Sequence, residues 1–168
     1  MIRPARVEDF AALQRIEVEA GRAFADVGYP DVAADDPFSD EELDQARADG
    51  RLWVAVPDGG GEPVGYVLTR VVGGRAHVEQ VSVLPEHQGL GIGRALLEQA
   101  YAWGATIGSA VITLSTFRDV PFNAPLYAHL GFRILAESEL DEALRAERVH
   151  EAAHGLDTAA RVFMTRPL

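Results

Sequence analysis

The chain has 168 residues, 48% of them hydrophobic, no cysteine and a formal net charge of −11. That length suits a single domain over residues 1–168 with a full core, and the missing cysteine excludes disulfides, thiolate metal sites and a cysteine nucleophile, as expected of a cytoplasmic protein. The acidic balance argues against nonspecific nucleic-acid binding and against anionic membranes, no stretch approaches the length of a membrane span, and Met1-Ile2-Arg3-Pro4 lacks the apolar run of a signal peptide.

In chain order, Met1 to Arg3 reads as a short edge strand closed by Pro4. Glu8 to Ala20 reads as a helix, with Phe10, Leu13, Ile16 and Ala20 at helical spacing. Gly21 to Phe38 holds Asp26, Asp31, Asp35 and Asp36 with Gly28, Pro30 and Pro37, and is expected to be a long acidic loop with a short helical turn. It is either a solvated surface or a segment that draws in a cation. Ser39 and Glu42 form a capping-box pattern that opens a helix ending near Asp49-Gly50. Arg51 to Val56, Val64 to Val71 and Ala76 to Leu84 read as three antiparallel strands, joined by turns at Asp58-Gly59-Gly60-Gly61 and Gly73-Gly74.

A helix over Ala95 to Trp103 follows, with Leu96, Ala100, Trp103 and Ile107 as its core-facing stripe. Val111 to Phe117 is a strand, and Pro125 to Leu130 a short helix stopped by Gly131. Phe132 to Leu135 is a strand, Glu139 to Arg148 a helix whose apolar side is Leu140, Leu144 and Val149, and Arg161 to Met164 a strand that closes the sheet. The order implies a mixed α/β sheet, mostly antiparallel, with helices on both faces.

Between the third long strand and its helix lies Gln88-Gly89-Leu90-Gly91-Ile92-Gly93-Arg94. Glycines let the backbone turn sharply and let a ligand approach it. The helix start that follows offers unpaired N–H groups and a positive dipole end, which together suit an anion such as phosphate. A dinucleotide fingerprint fails because Arg94 or Leu96 stands where its last glycine should be. A P-loop fails because Arg94 and Ala95 follow Gly93. Gln-x-x-Gly-x-Gly before an amphipathic helix resembles the pyrophosphate-binding motif of the GNAT family of N-acetyltransferases. A second stretch, Asn123-Ala124-Pro125-Leu126-Tyr127-Ala128-His129-Leu130-Gly131-Phe132, resembles that family's Asn-x-x-x-Tyr-x-x-x-Gly-Phe pattern. The likeness points to a small single-domain bacterial subgroup.

The resemblance implies a twisted central sheet with a splayed strand pair and acetyl-CoA as co-substrate. It also implies direct acetyl transfer in a ternary complex to a primary amine of a small molecule or protein. The backbones of Val81, Ser82 and Val83 would hold the pantetheine arm and polarise the carbonyl. Gln88, Gly89, Leu90, Gly91, Ile92, Gly93 and Arg94 would surround the pyrophosphate, and Asn123 would contact the arm. Tyr127 would protonate the departing thiolate. Glu79 is the candidate base, because an alkyl ammonium must lose a proton before it attacks. Alternation places Glu79 on one face with His77, Val81 and Val83, where apolar neighbours would raise a carboxyl pKa. His77 is a lesser candidate.

The acidity of the chain favours a cationic acceptor, and family analogy adds a homodimer. Arg118, Asp119, Phe122, His150 and His154 either line the acceptor pocket or pack and face solvent. His150 and His154 lack a third ligand, so no metal is expected. Two alternatives stand beside transfer: a catalytically weak acyl-CoA-binding or regulatory protein, and an acyltransferase for a longer acyl group.

Overall fold

The computed structural model describes residues 1–168. Seven strands form one mixed sheet in the order β1-β2-β3-β4-β5-β7-β6. They are β1 (Ile2–Pro4), β2 (Leu52–Ala55), β3 (Gly65–Val72), β4 (Arg75–Val83), β5 (Val111–Phe117), β6 (Arg133–Ile134) and β7 (Arg161–Pro167). The helices are α1 (Phe10–Gly21), α2 (Pro30–Ala33), α3 (Asp40–Ala48), α4 (Ile92–Thr106), α5 (Ala124–His129) and α6 (Glu142–Ala153). None is long and apolar enough to cross a membrane. Contacts cluster in two compact units, Met1–Arg70 with Glu79–Trp103, and Val71–Val78 with Gly104–Leu168.

In the first unit, β2 pairs antiparallel with β1 and β3, in the register Leu52↔Leu68, Trp53↔Val67 and Val54↔Tyr66. The period of two sends Leu52 and Val54 to one face and Trp53 to the other. The first face is covered by Phe10, Leu13 and Ile16 of α1 and by Leu43 and Ala46 of α3. Leu13 and Ile16 are fully buried, which stabilises the unit by about 2 kcal/mol each. On the other face the Trp53 ring meets Trp103 of α4 edge-on, centroids 6.3 Å apart. A Cβ at Gly65 would lie 3.2 Å from Leu96 and 3.0 Å from the Ser82 carbonyl, so only glycine permits this approach of strand and helix.

Local caps fix the helices. The Ser39 hydroxyl accepts the Glu42 N–H at 3.1 Å, the first half of the expected box. Before α1, Asp9 accepts the Arg6 N–H at 2.8 Å and both arms of Arg3 at 2.8 and 3.0 Å. The segment 21–38 is more ordered than its composition implies. It winds through a 3-10 turn (Arg22–Val27) and α2, with Gly28 left-handed between them.

In the second unit, Gly73 and Gly74 take φ of 59° and 76°, which suits a two-residue hairpin turn. β4 pairs parallel with β5 at Ala76↔Ile112, His77↔Thr113 and Val78↔Leu114, and runs on to Val83. The C-terminal strand lies inside the sheet. β7 pairs with all of β5, from Val111↔Pro167 to Phe117↔Arg161, and on its other side with β6. The helix before it, α6, starts at an Asp141 cap that accepts the Leu144 N–H. Leu140, Leu144, Val72 and Phe163 form the core beneath it.

Two expected stripe positions are corrected. Ile107 lies beyond the end of α4 and is 42% exposed, because the chain turns at Gly108. Val149 is 71% exposed. It follows Leu144 by five positions, about 140° around the helix from the buried face.

Candidate functional site

The glycine turn forms as its sequence implies. Gly89 and Gly91 have φ of 78° and 82°, the left-handed region that a side chain disfavours, while Gly93 lies inside α4. A Cβ on Gly89 or Gly91 would meet no heavy atom within 4 Å, so the backbone there is open to a ligand. α4 then presents its first N–H groups at this open turn. The donor set therefore fits a polyanionic group such as the pyrophosphate of coenzyme A. Leu90 is exposed, and Ile92 packs inward against the first unit's core.

The flanking side chains are held by the protein itself. Gln88 donates from Nε2 to the Val83 carbonyl at 3.1 Å, tying the turn to the end of β4. Arg94 is exposed and pairs with Glu98 one helical turn on, at 3.2 Å. Such a pair contributes little and releases readily to a stronger anion.

β4 departs from simple alternation. Glu79 reaches Arg70 and lines a cleft with Leu68, so it shares the face of Leu68 and Arg70. Leu84 packs in the same core as Tyr66 and Leu68, and therefore also lies on that face. Val83 approaches Gly65 and Gly93 instead, toward α4. Glu79 and Leu84 are separated by an odd number of positions, so β4 must carry an extra residue between them. This is a bulge, which re-aims side chains and interrupts the ladder. The expected grouping of Glu79 with Val83 on one face is thereby corrected.

The surroundings of Glu79 also differ from the apolar neighbourhood expected. Arg70 Nε donates to Glu79 Oε2, and the pair is about one-third exposed on each side. Both line a cleft of about 380 Å³ with Phe38, Glu41, Glu42, Gln45 and Arg51. His77 is buried and its Nδ1 lies 2.8 Å from the Thr113 hydroxyl, a packing position. At 3% exposure His77 is less accessible to an amine than Glu79.

Sequence reasoning missed the groups that position the cleft. Gln14 and Glu17, one turn apart on α1, hold both backbone groups of Phe38: Gln14 Nε2 donates to its carbonyl at 3.0 Å, and Glu17 Oε2 accepts its N–H at 3.0 Å. Burial pushes the Glu17 carboxyl above its ordinary range, the Phe38 N–H opposes this, and Glu42 and Asp35 add repulsion. The fully buried Tyr66 hydroxyl faces Glu17 and Ser82 without hydrogen-bond geometry to either. Burial, with the Glu17 charge, pushes it well above the usual phenol range. Only the i, i+3 spacing of Gln14 and Glu17 on a polar face was visible in the sequence, and it does not reveal Phe38.

In the second unit, Asn123 precedes α5 and its Oδ1 accepts the Phe117 N–H at 3.4 Å, joining the end of β5 to the helix start. Tyr127 is half-buried and packs edge-on against Phe132, centroids 5.8 Å apart. Gly131, at φ 92°, ends the helix and permits that return. Asn123, Tyr127, Gly131 and Phe132 thus form one local structure, as their spacing implies. The His150 and His154 rings meet at a tilt of 49° with centroids 4.2 Å apart.

Known proteins agree with this architecture. The profile of the Acetyltransferase (GNAT) family matches residues 13–132. The peptidyl-lysine N-acetyltransferase YjaB of Salmonella typhimurium is 34% identical over 91 residues, 54% of this chain. The match spans 56% of that relative, little more than half its length. Among solved structures, Rv2747 of Mycobacterium tuberculosis, determined with CoA, superposes with a TM-score of 0.72 at 19% identity, covering 100% of this chain and 99% of the other. The PaiA N-acetyltransferase of Thermoplasma acidophilum, in complex with coenzyme A, gives 0.74 at 16% identity, covering 100% and 98%. At such identities these two likenesses establish the fold. The family match covers most of the chain and both of its motifs, and this chain belongs to the GNAT family of acetyltransferases.

Proposed function

We propose that this chain is a single acetyltransferase domain that takes acetyl-CoA as co-substrate and acetylates a primary amine by direct attack in a ternary complex. The observation that carries the reading is the open glycine turn at the start of α4, with Gly89 and Gly91 held left-handed. The thioester supplies an already activated acetyl group, so no covalent enzyme intermediate is needed. Backbone N–H groups of residues 89–94 hold the pyrophosphate, with Arg94 redirected from Glu98 to add charge. Val81, Ser82 and Val83 lie at or past the bulge, where ladder bonds are interrupted, and their main-chain groups orient the pantetheine arm and the carbonyl. Asn123 contacts the arm through its side-chain amide.

In the transfer, the amine nitrogen forms a bond to the carbonyl carbon and the carbon–sulfur bond breaks. Glu79 takes the ammonium proton, directly or through water, Tyr127 gives a proton to the leaving sulfur, and the second proton that the nitrogen loses on becoming an amide returns through water to the tyrosinate. A base is needed because an alkyl ammonium, with a pKa near ~10, is almost wholly protonated at neutral pH. The acceptor is cationic. Glu41, Glu42 and Glu79 outnumber Arg51 and Arg70 in the cleft that Phe38 borders, and the net negative charge favours a positive group. The name of the Salmonella relative makes a peptidyl lysine the first acceptor to try. Release of the coenzyme A thiol from acetyl-CoA, followed with lysine peptides and with small polyamines, tests the reading. Turnover above the hydrolysis background with one class is expected. None with either would count against transfer.

One observation favours a second reading, acyl-CoA binding with weak turnover: the Glu79 carboxylate is already engaged by Arg70. Binding of acetyl-CoA without thiol release would select it.

A further inference from the structure

The second unit contains a cavity that the acetyl-transfer reading does not use. It has a volume of about 400 Å³ and lies among β6, β7, α6 and the loop after β5. That volume falls in the range of small-molecule sites. Its walls combine Leu140, Val162 and Phe163, all buried, with Ile134, which is 47% exposed at the mouth. Three guanidiniums also line it, those of Arg118, Arg148 and Arg161, against the carboxylates of Glu137 and Glu151.

The charges are not equivalent. Arg148 is paired with Glu137 through two bonds of 2.9 Å each. Arg161 is paired with Glu151, also donates to the Ser115 carbonyl, and lies 4.7 Å from the centroid of the Phe117 ring. Both carboxylates are therefore consumed. Arg118 has no carboxylate partner, and its one side-chain bond is to the Ala159 carbonyl at 3.3 Å. Its backbone is fixed to the same segment, since the Arg118 N–H donates to the Ala160 carbonyl at 2.9 Å. So the cavity carries one uncompensated positive charge, preorganised beside an apolar wall, in a chain whose net charge is −11.

We propose that this cavity binds a small monocarboxylate with an apolar body, its carboxylate on Arg118 and its body against Leu140, Val162 and Phe163. A planar guanidinium matches a carboxylate through two parallel bonds. A single net charge matches a monoanion, whereas a phosphate dianion would keep one negative charge uncompensated. The proposal does not depend on the chain's being an active transferase.

The test is calorimetric titration of the full chain with 4-methylpentanoate, 4-methylpentanol and inorganic phosphate. The carboxylate is expected to bind with Kd below about 1 mM, and the alcohol and phosphate at least tenfold more weakly. Arg118→Gln, at an exposed position, should weaken the carboxylate at least tenfold. Ile134→Asp, which sets a negative charge at the mouth without touching the core, should do the same. Saturating coenzyme A should leave the carboxylate's binding in place. The proposal is overturned by no heat of binding up to about 10 mM, by undiminished binding to both variants, by phosphate binding as tightly as the carboxylate, or by displacement with coenzyme A.

Discussion

Arg70 on β3 and Glu79 on β4 form an ion pair that faces the same cleft as Phe38 and the acidic first turn of α3. The extra residue in β4 lies just beyond Glu79, so the carboxylate stays on the Arg70 face while Val83 turns toward α4. The proposed base is thus held by a specific partner and is not floating in an apolar pocket. Glu79→Gln keeps the shape and removes the proton acceptor. Its kcat should fall by roughly 10²-fold, the usual size of a general-base contribution, and the acidic limb of the pH–rate profile should vanish. Arg70→Met keeps the base but frees it to wander, and should cost only about tenfold in kcat. Equal losses in the two variants, or an unchanged profile in Glu79→Gln, would remove Glu79 from the base role.

Tyr127 sits on α5 with its ring edge-on to Phe132, a contact that a phenylalanine ring keeps. Tyr127→Phe should lower kcat by about 10- to 100-fold, as expected for loss of a positioned acid, with the KM for acetyl-CoA nearly unchanged. A parallel rise in KM with kcat intact would assign the hydroxyl to binding instead.

Gly91 is left-handed and its α-carbon faces open space. Gly91→Val therefore meets no clash, but it strains the backbone by about 1–2 kcal/mol and sets a branched side chain where the phosphates must approach. The apo melting temperature should drop by only a few degrees, while the stabilisation by coenzyme A is lost. Retained stabilisation would mean that the anion binds elsewhere.

Much of the fold and of the two motifs was legible because they are local. Gly89, Gly91 and Gly131 declare left-handed turns, Ser39 declares a helix start, and Asn123 to Phe132 is one continuous structure. What escaped depends on partners far along the chain. Counting odd and even positions along β4 assumes an unbroken ladder, so the bulge, and with it the true face of Glu79, could not be read. Arg70 is nine residues away across a hairpin, and nothing in its own neighbourhood marks it as the partner. Val149 was misassigned because Leu140 lies in extended chain before α6, which shifts the phase of the stripe.

The acidic groups of the first unit carry opposite signs of pH dependence. Burial alone would raise the Asp9 carboxyl, but the two-armed Arg3 contact and the Arg6 N–H outweigh it and hold the group below its ordinary value. Its contribution is therefore present above the unfolded value near ~3.9 and is lost as pH falls through the folded one. Asp9→Ala should cost about 2–3 kcal/mol at neutral pH, short of a fully buried pair because Arg3 keeps some solvent contact.

Glu17 is raised by burial, so the opposite holds. Stability is greatest below its unfolded value near ~4.3 and declines as pH rises through the folded one. Glu17→Gln retains an acceptor for the Phe38 N–H and should raise the melting temperature at pH 7 relative to wild type, with the gain shrinking toward pH 4. A gain that is constant with pH, or a loss at pH 7, would show that Glu17 ionisation does not oppose folding. Glu17→Ala, which loses the acceptor as well, should be less stable than Glu17→Gln at every pH.

The central claim is that the glycine turn receives acetyl-CoA, and the melting temperature with and without acetyl-CoA tests it most directly. A ligand at a hundred times its Kd stabilises by about 2.7 kcal/mol, which for a domain of this size is a rise of about 5–10 °C. The account predicts that rise in the wild type and its absence in Gly91→Val. No shift at millimolar acetyl-CoA, or the same shift in both proteins, would contradict it.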